Sequence, residues 1–446
     1  MNIVFCAIVL IAFVFAGFRQ FAWSPDSGVS SPMEILSREM VTSAGGAVEL
    51  AIGLVGVMTL FLGLMKIAEA GGLLRIIARL IRPLMIRLFP EVPADHPAMG
   101  AMILNLSANV LGLGNAATPF GIRAMQELDK LNPEKGTATN AMVLFLAINT
   151  SSITLLPTGV IALRAAAGSV DPAAILPTTL FATMGSTLIA IMAAKLYSRF
   201  STPVAAPLVT AGSASGADTA SLPTASDPAI TGNDQDSAMH SEDAPASGYP
   251  AWVSALALMV LVSLVPLAIL FGKAVSPWII PSLMVGFLLF GMVKGVRVYE
   301  TFIEGAKEGF QVAIRIIPFL VAILVAVAMF RASGAMDVMV RFLGAWTGMV
   351  GLPGEALPMA ILRPLSGSGA YGVLASIIND PAIGPDSYVG YLVSTLQGST
   401  ETTFYVLAVY FGAVGVRRVR HALGAALTAD LAGIVFAVMA CLYVFG

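Results

Sequence analysis

The chain has 446 residues, of which 57% are hydrophobic and 11% are charged, and its mean hydropathy is +0.87. Soluble domains average about 25% charged residues, and several apolar segments here exceed the roughly 18 residues that a membrane-spanning helix needs. The composition therefore excludes a soluble protein and predicts one that crosses a membrane several times. A net charge of −2 without a basic cluster gives no indication of nucleic acid binding, and none is expected.

The residue types that build metal or catalytic centres are few and scattered. Cys6 and Cys441 lie in apolar segments at opposite ends of the chain, and His96, His240 and His421 lie at segment ends or in a polar stretch. We therefore expect no metal site and no cofactor. The sequence also contains no nucleophile beside a base, no phosphate loop and no nucleotide-binding motif. An enzyme is not expected, and active transport would have to use an ion gradient.

The first predicted elements are two spans and a basic helix. Residues 2–18 form a span that lacks the basic start and cleavage site of a signal peptide. An amphipathic helix around 32–45 precedes the second span at 47–65. Residues 73–88 carry four arginines at helical spacing among leucine and isoleucine. This pattern predicts either a helix in the membrane interface or a short cytoplasmic helix packed against the protein.

Residues 98–125 are apolar but are interrupted by small and amide residues. These are Asn105, Ser107, Asn109, Gly112, Gly114 and Asn115. A straight helix facing lipid is not expected to hold so many of them, so a re-entrant hairpin with its tip inside the protein is the better prediction. The segment 140–163 is broken in a similar way at 149–154, and 175–196 is the next predicted span.

Residues 200–250 are rich in Ser, Thr, Ala, Pro and Gly and contain six acids but no Lys or Arg. This composition cannot build a packed core, so it predicts a disordered cytoplasmic linker. The linker divides the chain into a membrane half at 1–199 and a membrane half at 251–446.

The second half repeats the order of the first. Its predicted elements are spans at 251–271, 277–293 and 312–330, an interfacial helix at 333–350, a hairpin at 356–378, a broken segment at 388–414 and a last span at 422–445. The break at 149–154 aligns with 397–402, which indicates an internal duplication. Whether 388–414 crosses the membrane or folds back at Gly398 stays open.

The loops predict the orientation, because basic residues near span ends stay cytoplasmic. With nine spans, two hairpins and a cytoplasmic N-terminus, sixteen Lys or Arg residues lie inside and six outside. The crossings before the two repeats differ by five, an odd number, so the repeats are predicted to be inverted. The predicted fold class is an all-α polytopic membrane protein with about nine spans, built from two inverted repeats with re-entrant hairpins and broken helices.

The polar run from Gln397 to Thr403 lies between apolar arms and contains Glu401. Inside a membrane such a run must be satisfied by protein, water or a bound solute, so it is a candidate site. Arg363, on the hairpin of the same repeat, is the natural partner of Glu401. The pair either only fixes the hairpin or presents one of its groups to a solute.

The predicted substrate-binding residues combine the hairpin tips with the two breaks. They are Asn105, Ser107, Asn109, Asn149, Ser151, Ser152, Thr154, Arg363, Ser366, Ser368, Gln397, Ser399, Thr400 and Glu401. The neutral groups suit hydroxyls, amides or a sodium ion, although hydrogen bonding between helices is the more common role for any single one. Glu49, Arg315 and Asp430 rank below Glu401, because each is expected near a span end where snorkelling is available.

Several motifs resemble known families. Residues 47–54 and 62–69 resemble spore maturation protein A, whereas 330–337, 363–369 and 397–406 resemble spore maturation protein B. The chain looks like the two proteins fused through the 200–250 linker. Both belong to the nucleoside-recognition or Gate group, which is similar to the cores of concentrative nucleoside transporters and to the membrane part of ferrous-iron permeases.

The resemblance implies a transport-like core. Gln397, Thr400 and Glu401 are similar to a Gln-Thr-Glu motif that binds solute in those nucleoside transporters, although Gly398 and Ser399 are inserted here. The expected function is movement of a small polar solute, nucleoside-like by resemblance, with a sodium ion or proton as a partner. The alternative is a membrane scaffold with a transporter-like fold. The expected location is the cell inner membrane, in contact with the lipid bilayer, and a homo-oligomer is left open.

Overall fold

A computed structural model describes residues 2–24, 30–112, 114–201 and 248–446, and helices dominate all four ranges. The first half contains α1 (Asn2–Phe21), α2 (Pro32–Ala70), α3 (Leu73–Leu88), α4 (Pro97–Leu111), α5 (Gly114–Lys130), α6 (Asn140–Thr150), α7 (Thr158–Ala166) and α8 (Leu176–Ser198). The second half contains α9 (Ala251–Val293), α10 (Val298–Ala332), α11 (Ala335–Thr347), α12 (Leu357–Leu362), α13 (Gly367–Ile378), α14 (Tyr388–Ser399), α15 (Thr403–Gly412) and α16 (Ala422–Phe445). Most of the predicted linker lies outside the described residues.

Two predicted boundaries are wrong. Residues 32–45 and 47–65 belong to one 39-residue helix, α2, and residues 251–271 and 277–293 belong to one 43-residue helix, α9. The sequence signals were glycines near 45 in α2 and a Gly and a Pro near 272–277 in α9. Such residues weaken a helix without always ending it. In α2, packing on α10 begins just after the glycine pair, where Ala47 and Ala51 are buried with Leu320.

The same order of elements occurs twice, from α2 to α8 and from α10 to α16. Each series begins with a long helix that bends sharply into a shorter one, by 67° between α2 and α3 and by 79° between α10 and α11. A hairpin, a broken helix and a single long helix follow. The contacts repeat as well: α6 packs on α8 and α16, and its counterpart α14 packs on α16 and α8.

Equivalent helices of the two repeats run antiparallel. Along α2 and α10, Gly305 lies against Leu62 and Gly309 lies against Thr59, so rising numbers on one helix meet falling numbers on the other. Along α8 and α16, the Tyr197 hydroxyl lies 3.1 Å from the Thr428 hydroxyl. Nearer the other end of the same pair, the rings of residues 181 and 436 meet edge to face. The predicted inverted repeats are therefore confirmed.

Length and composition identify two helices in the described residues that could each cross a membrane, α8 and α16. The two bent pairs raise this number to four if each pair is a single span. The predicted figure of about nine spans stays a prediction.

Helix α3 packs its buried face on α4 and α9, and this face includes Leu74, Ala78 and Met85. Of the two alternatives for α3, the structure therefore shows the contact with the protein.

The contact between the repeats gives a first prediction. A Cβ atom at Gly309 would lie 2.8 Å from backbone atoms of Met58 and Thr59, which cannot move away as a side chain can. We expect Gly309→Ala to destabilise the protein by about 1–3 kcal/mol, the usual cost of overpacking. Gly286→Ala in α9 is the matched control, because a Cβ there meets nothing within 4 Å. Equal thermal midpoints of the two variants in detergent would contradict the packing.

Candidate functional site

A cavity of about 210 Å³ lies where the two hairpins meet the two broken helices. Its wall is formed by Asn109, Gly112, Thr154, Leu156, Pro157, Thr158, Gly159, Val160, Arg363, Gly367, Tyr371, Gln397, Gly398, Glu401 and Thr402. Each repeat therefore contributes both a hairpin and a break, as the sequence pattern predicts.

The breaks arise because the chain supplies local partners for the ends of the helices. The hydroxyl of Ser151 donates to a carbonyl of α6, and the hydroxyl of Ser399 donates to a carbonyl of α14, at the C-terminal ends of these helices. Thr400 then adopts an extended conformation. Polar side chains that bond to the nearby backbone in this way end a helix inside an apolar environment.

Hydrogen bonds between main-chain groups join these ends to one another. The N–H of Leu155 donates to the carbonyl of Val110 at 3.0 Å, which ties the first break to the first hairpin. The N–H of Phe404 donates to the carbonyl of Pro364 at 3.1 Å, which ties the second broken helix to the second hairpin. The two breaks are linked directly, because the N–H of Glu401 donates to the carbonyl of Thr150 at 2.9 Å.

Arg363 holds the second break together. Its Nε donates to the carbonyl of Gln397 at 3.0 Å, its Nη1 donates to the hydroxyl of Thr402 at 3.1 Å, and its Nη2 donates to the carbonyl of Thr400. The side chain is only 7% exposed. A buried guanidinium thus satisfies carbonyls at the C-terminal end of α14, where the helix dipole favours a positive charge.

Glu401 is in a different environment from its partner. Its Oε2 lies 3.7 Å from Nη2 of Arg363, which is an ion-pair contact and too long for a hydrogen bond. Its side chain is 49% exposed, and the residue lines the cavity. Of these two charged groups in the wall, the carboxylate is therefore the accessible one, since the guanidinium is bonded to the second break.

Gln397 lies beside Glu401 and is 3% exposed. Among the residues that the structure describes, its Oε1 has no hydrogen-bond partner, although it is buried and the residue lines the cavity. An unpaired buried acceptor costs roughly 1–3 kcal/mol, and a donor on a bound molecule would remove that cost. Gln397 and Glu401 together favour a solute that carries N–H or O–H groups.

The first break is neutral. Asn109 Nδ2 donates to Asn149 Oδ1 at 2.9 Å, and the hydroxyl of Tyr410 donates to the same oxygen at 3.3 Å. Asn105 Nδ2 donates to the carbonyl of Ala117 at 2.7 Å and to the Tyr410 hydroxyl at 3.1 Å. Asn105 and Asn149 are buried behind the cavity wall, and Asn109 lies on it.

Of the predicted site residues, the cavity brings together Asn109, Thr154, Arg363, Gln397 and Glu401. The hydroxyls of the other predicted residues bond to nearby positions in the chain. Ser107, Ser151, Ser152 and Ser399 donate to backbone carbonyls within four residues, Ser366 accepts from the N–H of Gly369, and the Ser368 hydroxyl lies 3.5 Å from that of Ser366. Thr400 contributes its carbonyl to Arg363.

Sequence reasoning missed several residues of the wall. In the sequence, Tyr371 resembles one more apolar position of α13. Its hydroxyl reaches the other repeat, however, and a Cβ atom added at Gly159 would lie only 2.6 Å from it. Gly398 lets α14 approach α8, because a Cβ there would lie 2.7 Å from Thr179 Cγ2. The glycine in the polar run was the signal for such a close approach.

Arg164 was also missed, although it is fully buried. Its guanidinium bonds to Asp386 Oδ1 at 2.9 Å and to Ser394 Oγ at 3.2 Å, and it lies 4.5 Å from the centre of the Tyr391 ring. This cluster joins α7 of the first repeat to α14 of the second. It lies outside the cavity wall and fixes the two broken helices relative to each other.

These features define a transporter-like core in a membrane protein: inverted repeats whose hairpins and broken helices line a polar cavity. The family model described as "Gate: Nucleoside recognition" matches residues 51–167 and 313–417. Spore maturation protein B of Bacillus subtilis (strain 168) is 46% identical over 167 residues, which are 37% of this chain and 93% of the relative. Spore maturation protein A of the same organism is 42% identical over 191 residues, which are 43% of this chain and 92% of the relative.

The chain therefore belongs to the Gate family of spore maturation proteins A and B. Among solved structures, CNTnw in an inward-facing substrate-bound state covers 98% of this chain and 90% of its own, with a TM-score of 0.43 and 12% identity. A double variant of CNTnw in an outward-facing state covers 99% and 91%, with a TM-score of 0.43 and 11% identity.

The clamp formed by Arg363 can be tested by a conservative change. We expect Arg363→Lys to destabilise the protein by about 2–4 kcal/mol, because an ammonium cannot reach three acceptors and leaves buried carbonyls unpaired. Arg331→Lys is the matched control, since Arg331 is 41% exposed and pairs with Asp380 at 2.7 Å. A surface pair of this kind contributes roughly 0–1 kcal/mol. Similar unfolding midpoints for the two variants would show that Arg363 holds no such clamp.

Proposed function

We propose that the protein is a secondary transporter that moves a small polar, nucleoside-like solute through the cavity between its repeats. The observation that carries this proposal is the half-exposed carboxylate of Glu401 beside the unpaired Oε1 of Gln397. A carboxylate that only fixed a hairpin would be expected to bond directly to Arg363. Here Arg363 bonds to backbone carbonyls and leaves the Glu401 oxygens for a ligand.

The size and chemistry of the cavity support a small metabolite. Its volume of about 210 Å³ is below the 300–1,000 Å³ that is typical of pockets for drug-sized ligands. Glu401 and the unpaired Oε1 of Gln397 are acceptors in its wall, which suits the hydroxyls and amine groups of a nucleoside. The family model described as nucleoside recognition supports the same class of solute.

The proposal includes an arrangement in the membrane. The halves at 1–199 and 251–446 would correspond to spore maturation proteins A and B, joined by a cytoplasmic linker at 200–250. The chain would lie in the cell inner membrane with its N-terminus in the cytoplasm. Movement would be either facilitated or coupled to an ion gradient, with the inverted repeats exposing the cavity to each side in turn.

A thermal-shift screen of the purified full-length protein against nucleosides, amino acids and small carboxylates, with and without sodium, tests the proposal. A ligand present at 100 times its dissociation constant stabilises the folded state by about 2.7 kcal/mol. We expect a nucleoside to raise the melting temperature of the wild type, and we expect Glu401→Gln and Gln397→Ala to abolish that shift.

Glu355→Gln is the control, because Glu355 is an exposed acid outside the cavity wall, and it should keep the full shift. If no solute stabilises the wild type while Glu401→Gln alone lowers the melting temperature, the carboxylate is structural. That outcome would contradict the transport proposal and favour a membrane scaffold.

A further inference from the structure

A second acid lies behind the second break and is separate from the cavity wall. Asp430, in the first half of α16, is 3% exposed, so the expectation that it lies near a span end and snorkels is wrong. Its Oδ2 accepts a hydrogen bond from the hydroxyl of Thr403 at 2.7 Å. Its Oδ1 is buried, and within the described ranges no hydrogen-bond partner reaches it.

The helices around Asp430 carry almost no charge. Helix α16 packs on α6, α8, α14 and α15. Apart from tyrosines, which are neutral near pH 7, helices α6, α14 and α15 contain no titratable residue, and α8 contains only Lys195, which is exposed. Arg363 attracts the Asp430 carboxyl electrostatically from a distance. Glu401, which precedes α15, lies in the cavity wall.

An ionised carboxylate in such a place is costly. Taking a charge out of water costs several kcal/mol unless ion pairs and hydrogen bonds replace the water. None of the ion pairs in the described part of the chain includes Asp430, and Thr403 supplies its one recorded hydrogen bond. When Oδ1 binds a proton, the cost of the buried charge is removed and only the smaller cost of one unpaired hydroxyl is left, while Oδ2 still accepts from Thr403.

We propose that Asp430 is a proton-binding site that is protonated in this conformation. A divalent metal ion is a poorer candidate, because hard divalent cations need several oxygen ligands, usually with more than one carboxylate, and the described residues contain no group of three His, Cys, Asp or Glu. The claim that Asp430 binds a proton is independent of the proposed function. A role for this proton in coupled transport rests on the proposed function.

The position of Asp430 connects such a proton to the cavity. Thr403 is the first residue of α15, and the preceding Thr402 lines the cavity and accepts from Arg363. An ionised Asp430 would bind Thr403 and the positive N-terminal end of α15 more tightly than a neutral one. Gain or loss of the proton therefore changes how firmly the cavity wall is held at its second break.

Infrared spectroscopy of the purified full-length protein without solute tests the site. We compare the wild type with Asp430→Asn, Glu401→Gln and Thr403→Val. The wild type should show a carboxylic C=O band that is missing in Asp430→Asn and kept in Glu401→Gln. Thr403→Val should shift this band to higher frequency, because it removes the hydrogen bond to the carbonyl oxygen. If Asp430→Asn fails to fold, the shift in Thr403→Val still decides the question.

Carboxylate bands in place of the C=O band, or a C=O band that Thr403→Val does not shift, would overturn the proposal. The experiment also separates this inference from the proposed function. A negative solute screen would contradict transport but would not change the C=O band of Asp430. Carboxylate bands would contradict the proton site but would not change the result of the solute screen.

Discussion

Backbone groups that cannot be left unpaired in a membrane determine the centre of this protein. Two helices stop partway, and each break exposes carbonyls and N–H groups that lipid cannot satisfy. Each hairpin supplies a carbonyl to its own broken helix, at Leu155 in the first repeat and at Phe404 in the second, and a bond from Glu401 to Thr150 joins the two breaks. Arg363 satisfies the remaining carbonyls of the second break. The cavity exists because these four ends must meet.

The two repeats share a geometry but differ in charge. The first break is held by neutral groups, in which Asn109, Asn149 and Tyr410 bond to one another. At the second break, Glu401 provides a half-exposed carboxylate, Arg363 of the hairpin provides a buried guanidinium, and Asp430 of α16 lies buried behind them. Ionisable groups inside a membrane are costly and usually mark function. The ionisable groups at the cavity therefore gather around the second break, while neutral groups hold the first.

The sequence predicts the two broken helices well, because each break is marked by a polar interruption in an apolar segment. A run such as 149–154 or 397–403 in an apolar segment has few solutions in a membrane, and a broken helix facing a hairpin is one of them. The continuity of α2 was not predictable, because glycines weaken a helix only when packing does not support it. The burial of Asp430 and the reach of Tyr371 depend on contacts between distant helices, which no local pattern contains.

The most direct test of the account is a cross-link between the repeats next to the second break. The hydroxyls of Thr178 in α8 and Thr395 in α14 are 2.8 Å apart. The two native cysteines are first removed by Cys6→Ser and Cys441→Ser. The pair of substitutions Thr178→Cys and Thr395→Cys should then form an intramolecular disulfide that mass spectrometry detects. Thr178→Cys with Thr428→Cys should form none. Failure of the first pair to cross-link, or equal cross-linking of both pairs, would contradict the packing of the two repeats beside the cavity.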